Sequence, residues 1–201
     1  MPKSVQPHYL TLNAFFLEVL KSREISKEQS ICQTRLNWWA QTLHDIDNDK
    51  KVHEPVARAL QEVKQKTKVN FKLLHRLVHF QLFDIERGTI QTMKEMEVYG
   101  ENTRGIMMYL NLHLLGIDNK EANLCASHIG RSLAICDVLK KTPYYLGVGR
   151  GYLPIEILNK HNLFYDRIWS RTGGEAIVAD EFYDVVLEIA AYARKHLQAA
   201  R

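Results

Sequence analysis

Apolar residues recur along this chain at intervals of three and four rather than in alternation, the period of helices with one buried face. Leu12, Phe16, Val19 and Leu20 share one side of a helix predicted over approximately residues 9–22. Ser26 and Glu28 lead into a second helix, where Leu36, Trp39, Leu43 and Ile46 repeat until the polar run DIDNDKK makes a turn. Pro55 suits the first position of a third helix, where a missing N–H costs nothing. Val56, Leu60 and Val63 line that helix's inner face. The basic segment from Lys64 to Lys72 then connects to a fourth helix with Phe71, Leu74, Val78, Leu82 and Ile85, ended by Gly88.

A fifth helical stretch, 92–116, is interrupted near Gly100 and Gly105, where small residues permit a kink or the close approach of another backbone. Gly116 caps it. A sixth helix runs through IDNKEANLCASHIGRSLAICDVLKK, with Pro143 expected to end it before the glycine-rich turn YYLGVGRG. A short helix follows from about residue 154. The last begins near Asp180, an N-cap residue by type, and buries Phe182, Val186, Ile189, Ala193 and Leu197. No repeat, linker or sheet pattern interrupts this series, so the expected fold is an all-α, single-domain helical bundle spanning 1–201.

Composition supports that picture. A chain of 201 residues is most simply one domain, large enough to bury about 70 % of its unfolded surface. Its 46 % hydrophobic and 25 % charged residues are those of an ordinary globular protein. The formal charge of +4 is compatible with an anionic partner but is no nucleic-acid signature. No run reaches the ~18 apolar residues of a membrane span, and the N-terminus lacks the pattern of a secretory signal. Residues 1–17 carry no acid and mix Lys3 and His8 with Leu10, Leu12, Phe15 and Phe16, a pattern compatible with organelle import. Met1 is read as arguing against a cleaved presequence. Cys32, Cys125 and Cys136 read as core thiols in a reducing compartment.

Candidate chemistry is sparse. His75 and His79 stand four apart, but HRLVH has Arg76 where a zinc protease has its general-base glutamate, and no third ligand follows at a recognisable spacing. No metal is expected there. Gly147-Val148-Gly149-Arg150-Gly151 reads as a turn, since no strand precedes it and the dinucleotide spacing is incomplete. Lys64, Lys66, Lys68 and Lys72 read first as a solvated helix end and second as a contact for a partner, RNA or anionic lipid, without an interleaved aromatic platform. Trp39 belongs to the apolar stripe, whereas Trp38 points elsewhere and is a candidate partner contact. Asp84 and Glu86, two apart, cannot share one helical face.

Three segments together carry a resemblance. They are LNAFFLEVLKSREISKEQSICQTRLNWWAQTLHDI with HEPVARAL after it, MEVYGENTRGIMMYLNLHLLGI, and ASHIGRSLAICDVLKKTPYYLGVGRGYLPIEIL. In order and spacing they resemble the squalene/phytoene synthase family over almost the whole chain. RLNWW, HEPVARAL, YGENT, Thr142-Pro143-Tyr144 and GRGYLP most resemble its non-catalytic mitochondrial branch, which serves in respiratory complex I assembly. The resemblance implies a helical bundle of the isoprenoid synthase type. Catalytic relatives ionise prenyl diphosphates with magnesium held by two aspartate-rich motifs on facing helices. Here the first motif falls at Ser22, Arg23, Glu24, Ile25 and Ser26, leaving Glu24 as its only acid. The second falls at Asp137-Val138-Leu139-Lys140-Lys141, with Asp137 where relatives usually have asparagine and Lys141 at an aspartate position. Hard cations need several oxygen ligands. The resemblance therefore implies a pseudoenzyme with no catalytic residue, no metal and no cofactor. Arg23, Lys140, Lys141 and Arg150 remain candidates for binding a diphosphate or phospholipid head group directly.

The first expectation is thus a binding protein, an assembly factor for complex I or an accessory subunit of a large mitochondrial complex. It would sit on the matrix side of, or peripheral to, the inner membrane, with respiratory-chain proteins as partners and inner-membrane lipid as a peripheral contact. Nucleic acid is not expected. A second reading is an active prenyl transferase whose magnesium is held by rearranged acids, Glu18, Glu24, Asp84, Glu86 and Asp137. A third is an RNA- or mitoribosome-associated module using Lys64, Lys66 and Lys68.

Overall fold

Pro7 is tolerated in a first helical turn because its missing N–H has no intrahelical partner there, so the first helix starts ahead of the predicted boundary. A computed structural model describes residues 2–148, 150–168 and 180–201. In it α1 covers Gln6–Lys21 and buries Leu12, Phe15, Phe16 and Val19. Among the described residues ten α-helices and one π-helical turn account for the regular structure, and there is no strand. The expectation of an all-α fold is met. The chain divides into two compact units, residues 1–86 with 106–124 and residues 87–105 with 125–201.

The first unit is built on stripes the sequence displays. Helix α2, Gln29–Asp47, buries Cys32, Leu36, Trp39, Leu43 and Ile46 at intervals of four and three. Phe15 meets the Trp39 ring edge-on, with centroids 5.1 Å apart. In α3, Pro55–Lys66, Pro55 opens the helix and the Glu54 carboxylate accepts the Ala57 N–H at 2.7 Å. Its inner face is centred on Ala57, Leu60 and Val63, with Val56 only half-buried. Helix α4, Lys72–Arg87, contributes Leu74, Leu77, Val78 and Ile85, and Gly88 closes it in the left-handed region at φ +78°. Helix α6, Ile106–Leu114, packs with α3 against α1. Each fully buried Leu, Ile or Phe contributes about 1.5–3 kcal/mol, so these stripes fix which helix faces meet.

The second unit begins with a capping box. Thr92 Oγ1 accepts the Glu95 N–H at 3.2 Å, and Glu95 reaches back to the Gln91 N–H at 2.8 Å. Helix α5, Met93–Gly100, runs into the π-helical turn Glu101–Gly105, which is the interruption expected near the two glycines. Side chains take up carbonyls there. Asn102 Nδ2 donates to Val98 O and Thr103 Oγ1 to Tyr99 O, each at 2.7 Å. The turn lies directly on α7, where a Cβ on Gly130 would stand 2.4 Å from Gly105 Cα. The core beneath combines Ile90, Met96, Ile135, Val138, Leu153 and Ile189.

Three expectations need correction. Pro143 does not end its helix, since α7 runs from Lys120 to Gly147 with Pro143 inside it. The extra turn is held by packing. The Tyr145 ring packs at a tilt against Tyr152 with centroids 4.6 Å apart, Tyr145 and Leu146 lie against the second core, and Thr142 Oγ1 donates to Val138 O at 2.8 Å. In the final helix α10, Asp180–Ala199, the buried stripe is Val185, Ile189, Ala193 and His196, while Phe182 and Val186 are half-buried and Leu197 is exposed. Ile189 and Ala193 are buried as predicted, while towards the two ends of the stripe Val185 replaces Val186 and His196 replaces Leu197, each one residue away. Cys136 is exposed and Cys125 half-buried, so Cys32 alone is a core thiol. Helix α8, Ile155–Lys160, starts where expected, and a four-residue helix α9, Tyr165–Ile168, follows it.

Candidate functional site

The first motif segment is the turn that closes α1. Ser22 Oγ bonds back to Glu18 O at 2.8 Å, and Ser26 Oγ accepts the Glu28 N–H at 3.1 Å. The buried Cys32 thiol reaches Ser26 O at 3.3 Å and Arg23 O at 3.6 Å, tying the turn to α2. Arg23 is buried, and its guanidinium forms an ion pair with the buried Asp84 carboxylate of α4 and reaches Asp84 O at 3.4 Å. Glu24, the one acid of the segment, is exposed.

The other acids of this unit that a rearranged metal site would use are dispersed. Glu18 is paired with Arg35 at 3.1 Å, and the exposed Glu86 meets Gln33 Nε2 at 3.5 Å. Asp84 is buried and Glu86 exposed, as their spacing requires. Among the described residues no group of three or more His, Cys, Asp or Glu side chains is placed to hold a metal ion. His75 bonds Asp47 Oδ2 at 2.7 Å and His79 is exposed.

The second motif segment lies on α7. Arg104, from the π-helical turn, donates Nε at 2.6 Å and Nη2 at 2.5 Å to Asp137 Oδ2. Beside this pair Glu101 accepts Ser127 Oγ at 2.6 Å and Arg131 Nε at 3.0 Å. The Gly105–Gly130 approach brings both residues of the turn within reach of α7. Lys140 and Lys141 are exposed on the following turn. Near the C-terminal end of the unit His128 Nδ1 and His196 Nδ1 stand 2.9 Å apart, and His196 Nε2 meets Glu97 at 3.1 Å. Desolvation, then the neighbouring His196 imidazole and Arg131 guanidinium, hold the His128 imidazole below its usual range.

Arg150 is half-buried, with its backbone N–H on Tyr145 O at 2.8 Å, and Gly149 lies outside the described residues. Gly151 accommodates the Tyr165 ring, which a Cβ would meet at 2.3 Å. The Tyr165 hydroxyl donates to Leu153 O at 2.5 Å, and burial pushes its pKa up. Gly151 is therefore a packing position. Of the four candidate anion-binding cations, Arg23 lies in the first unit and is held by Asp84, whereas Lys140, Lys141 and Arg150 belong to the second.

The basic run is not uniform. Lys64 Nζ donates to Ile46 O at 2.8 Å and Asp47 O at 2.9 Å, and pairs with Asp49 at 3.1 Å, capping the end of α2. Lys66 pairs with Glu62 at 3.0 Å, while Lys68 and Lys72 are exposed. Trp38 is 38 % exposed with the Arg35 guanidinium 4.6 Å from its ring centroid, and Trp39 is fully buried.

Sequence reading missed three polar sets in the second unit: Arg104 on Asp137, Glu101 with Ser127 and Arg131, and His128 with His196 and Glu97. The available signal was ENTR, a polar run between two glycines inside an otherwise apolar stretch.

The family model for squalene/phytoene synthase matches residues 1–201. The mouse protein named NADH dehydrogenase (ubiquinone) complex I, assembly factor 6 is 29 % identical over 200 residues, covering 100 % of this chain and 59 % of its own. The human protein of that name is 29 % identical over 201 residues with the same coverage. The homolog from Dictyostelium discoideum is 25 % identical, covering 94 % of this chain and 52 % of its own. The chain thus spans between half and three-fifths of these relatives. Among solved structures, a dehydrosqualene synthase in complex with ligand superposes with TM-score 0.82 at 18 % identity, covering 100 % of this chain and 68 % of that one. Squalene synthase HpnC from Alicyclobacillus acidocaldarius gives 0.83 at 19 %, covering 100 % and 73 %. These two likenesses concern the fold; the family match over its full length places the chain in the squalene/phytoene synthase family.

Proposed function

We propose that the chain is a catalytically silent member of its family that works by binding in the assembly of respiratory complex I. It acts in mitochondria, on the matrix side of or peripheral to the inner membrane, without a cofactor. One observation carries this reading. At each motif segment an arginine neutralises a carboxylate that a magnesium site would need, Arg23 on Asp84 and Arg104 on Asp137. Ionising an allylic diphosphate requires cations that neutralise the leaving pyrophosphate, and those cations need unspent oxygen ligands. Similarity over the full chain to proteins named for complex I assembly supports the choice of partner. Trp38 with Arg35, and separately the exposed Lys68 and Lys72, are the contacts offered to protein. Lys140 and Lys141 face anionic head groups of the inner membrane.

The test is capture of the tagged chain from gently solubilised mitochondria, with native gels of cells depleted of it. The expected result is co-migration with complex I intermediates, less mature complex I after depletion, and weaker capture with Trp38→Ala. Unchanged complex I together with no captured complex I subunit would contradict the proposal.

A further inference from the structure

Three helices of the second unit meet at one polar contact. His128 Nδ1 on α7 stands 2.9 Å from His196 Nδ1 on α10, and His196 Nε2 stands 3.1 Å from Glu97 Oε1 on α5. One turn further along α10 the Cys125 thiol donates to Ala200 O at 3.2 Å. His196 is buried, with His128 and Glu97 half-buried. A carboxylate only accepts, so His196 Nε2 carries a proton. In the neutral pair His196 Nδ1 is then a lone pair, and His128 Nδ1–H donates to it. One further proton fits. Whether it sits on His128 Nε2 or on His196 Nδ1, a single N–H still lies between the two Nδ1 atoms, and the Glu97 carboxylate balances the charge. A second leaves N–H facing N–H and sets two positive rings with centroids 5.2 Å apart.

We propose that this contact is a proton-operated latch: it holds the last turn of α10 on α5 and α7 while the two imidazoles share at most one excess proton, and releases that turn when both are charged. The surrounding charges do not relieve the second proton. Besides His196, those acting on His128 are Arg131, Glu101 and Glu97. Glu101 is already engaged by Arg131 at 3.0 Å and Ser127 at 2.6 Å, which leaves Glu97 against two imidazoliums. Arg194 and Lys195, beside His196 in the chain, add no counter-charge. Desolvation, which already disfavours the charged form of His128, acts in the same sense. Opening is local. Val185, Ile189 and Ala193 keep the rest of α10 in the second core whatever the charge at its end. Histidine places the change in mild acid, where an ordinary imidazole takes up its proton.

Thiol labelling of the whole chain tests this, because Cys125 is bonded to the end of α10 whereas Cys136, exposed on the same helix α7, serves as the reference. The probe is a dithiodipyridine, which reacts in mild acid, with the two cysteines separated by peptide mass spectrometry. Lowering the pH from about 7.5 to about 5.5 should raise the labelling rate of Cys125 relative to Cys136 by about threefold to tenfold, the range for uptake of one proton, at constant circular dichroism. His128→Asn puts an amide at the Nδ1 position that gains no charge, and its ratio should stay within about twofold. Glu97→Gln keeps an acceptor but removes the charge that accommodates the first proton, so its rise in acid should exceed that of the parent. A ratio in the parent that does not change with pH overturns the proposal. So does an equal rise in His128→Asn, a smaller rise in Glu97→Gln, or a rise that comes only with loss of circular dichroism, which is unfolding of the unit.

Discussion

Arg23, in the turn after α1, gives its guanidinium to the carboxylate of Asp84 on α4, and the two side chains are 9 % and 1 % exposed. Sixty-one residues separate them in the chain. The pair ties the first motif segment to the core of its unit by a charge interaction that water cannot screen. Removing one partner leaves the other buried and uncompensated. Arg23→Ala is therefore expected to lower unfolding free energy by about 3–5 kcal/mol, whereas Arg23→Met with Asp84→Leu should come close to neutral. Urea denaturation of the three proteins checks both outcomes.

Close backbone approach should dominate at Gly130. A Cβ there would stand 2.4 Å from Gly105 Cα, so Gly130→Ala must push the π-helical turn off α7. A loss of about 3 kcal/mol or more is expected, beyond the upper range of ordinary overpacking. Gly88→Ala meets nothing within 4 Å and suffers only from φ +78°, a cost of about 1–2 kcal/mol. Denaturation midpoints of the two variants rank these effects.

The lysine run should separate by role. Lys64→Ala removes charged hydrogen bonds to two carbonyls at the end of α2 and should cost about 1–2 kcal/mol, reduced from the buried value because Lys64 is partly exposed. Lys68→Ala should lie within about 0.5 kcal/mol of the parent. Thermal melts of both variants show the difference.

Acid should loosen the second unit through His128. Its folded-state pKa lies below the unfolded value of 6.5, by desolvation first and then by the neighbouring His196 imidazole and Arg131 guanidinium, with Glu101 and Glu97 opposing. The unfolded chain therefore takes up the proton first. Stability from this group is complete above the unfolded value and is lost as pH falls from 6.5 through the folded pKa. With Nδ1 atoms 2.9 Å apart, one imidazole of the pair must also present a lone pair to the other. Stability profiles should fall less steeply below pH 6.5 in His128→Asn than in the parent.

Helix positions were legible because buried residues repeat at three and four, and Trp39, Leu60 and Ile189 stand where that period puts them. What failed was local rule against tertiary packing. Pro143 reads as a stop, yet Tyr145 and Leu146 gain more from the second core than the missing N–H loses. On α10, Val185 rather than Val186 is buried, a choice between adjacent valines that period alone cannot make when the helix carries apolar residues on both sides. At the motif segments the loss of carboxylates was readable from residue types. That Arg23 would be spent on Asp84 was not, because no local pattern links a turn at 22–26 to a residue on α4.

With Asp84 and Asp137 neutralised by arginines, no magnesium chemistry is expected. Its most direct measurement is pyrophosphate release from farnesyl or geranylgeranyl diphosphate by the folded chain, with and without magnesium. Release equal to the protein-free blank is expected under both conditions. Magnesium-dependent release above that blank, abolished by a chelator and by Asp137→Asn, would contradict it.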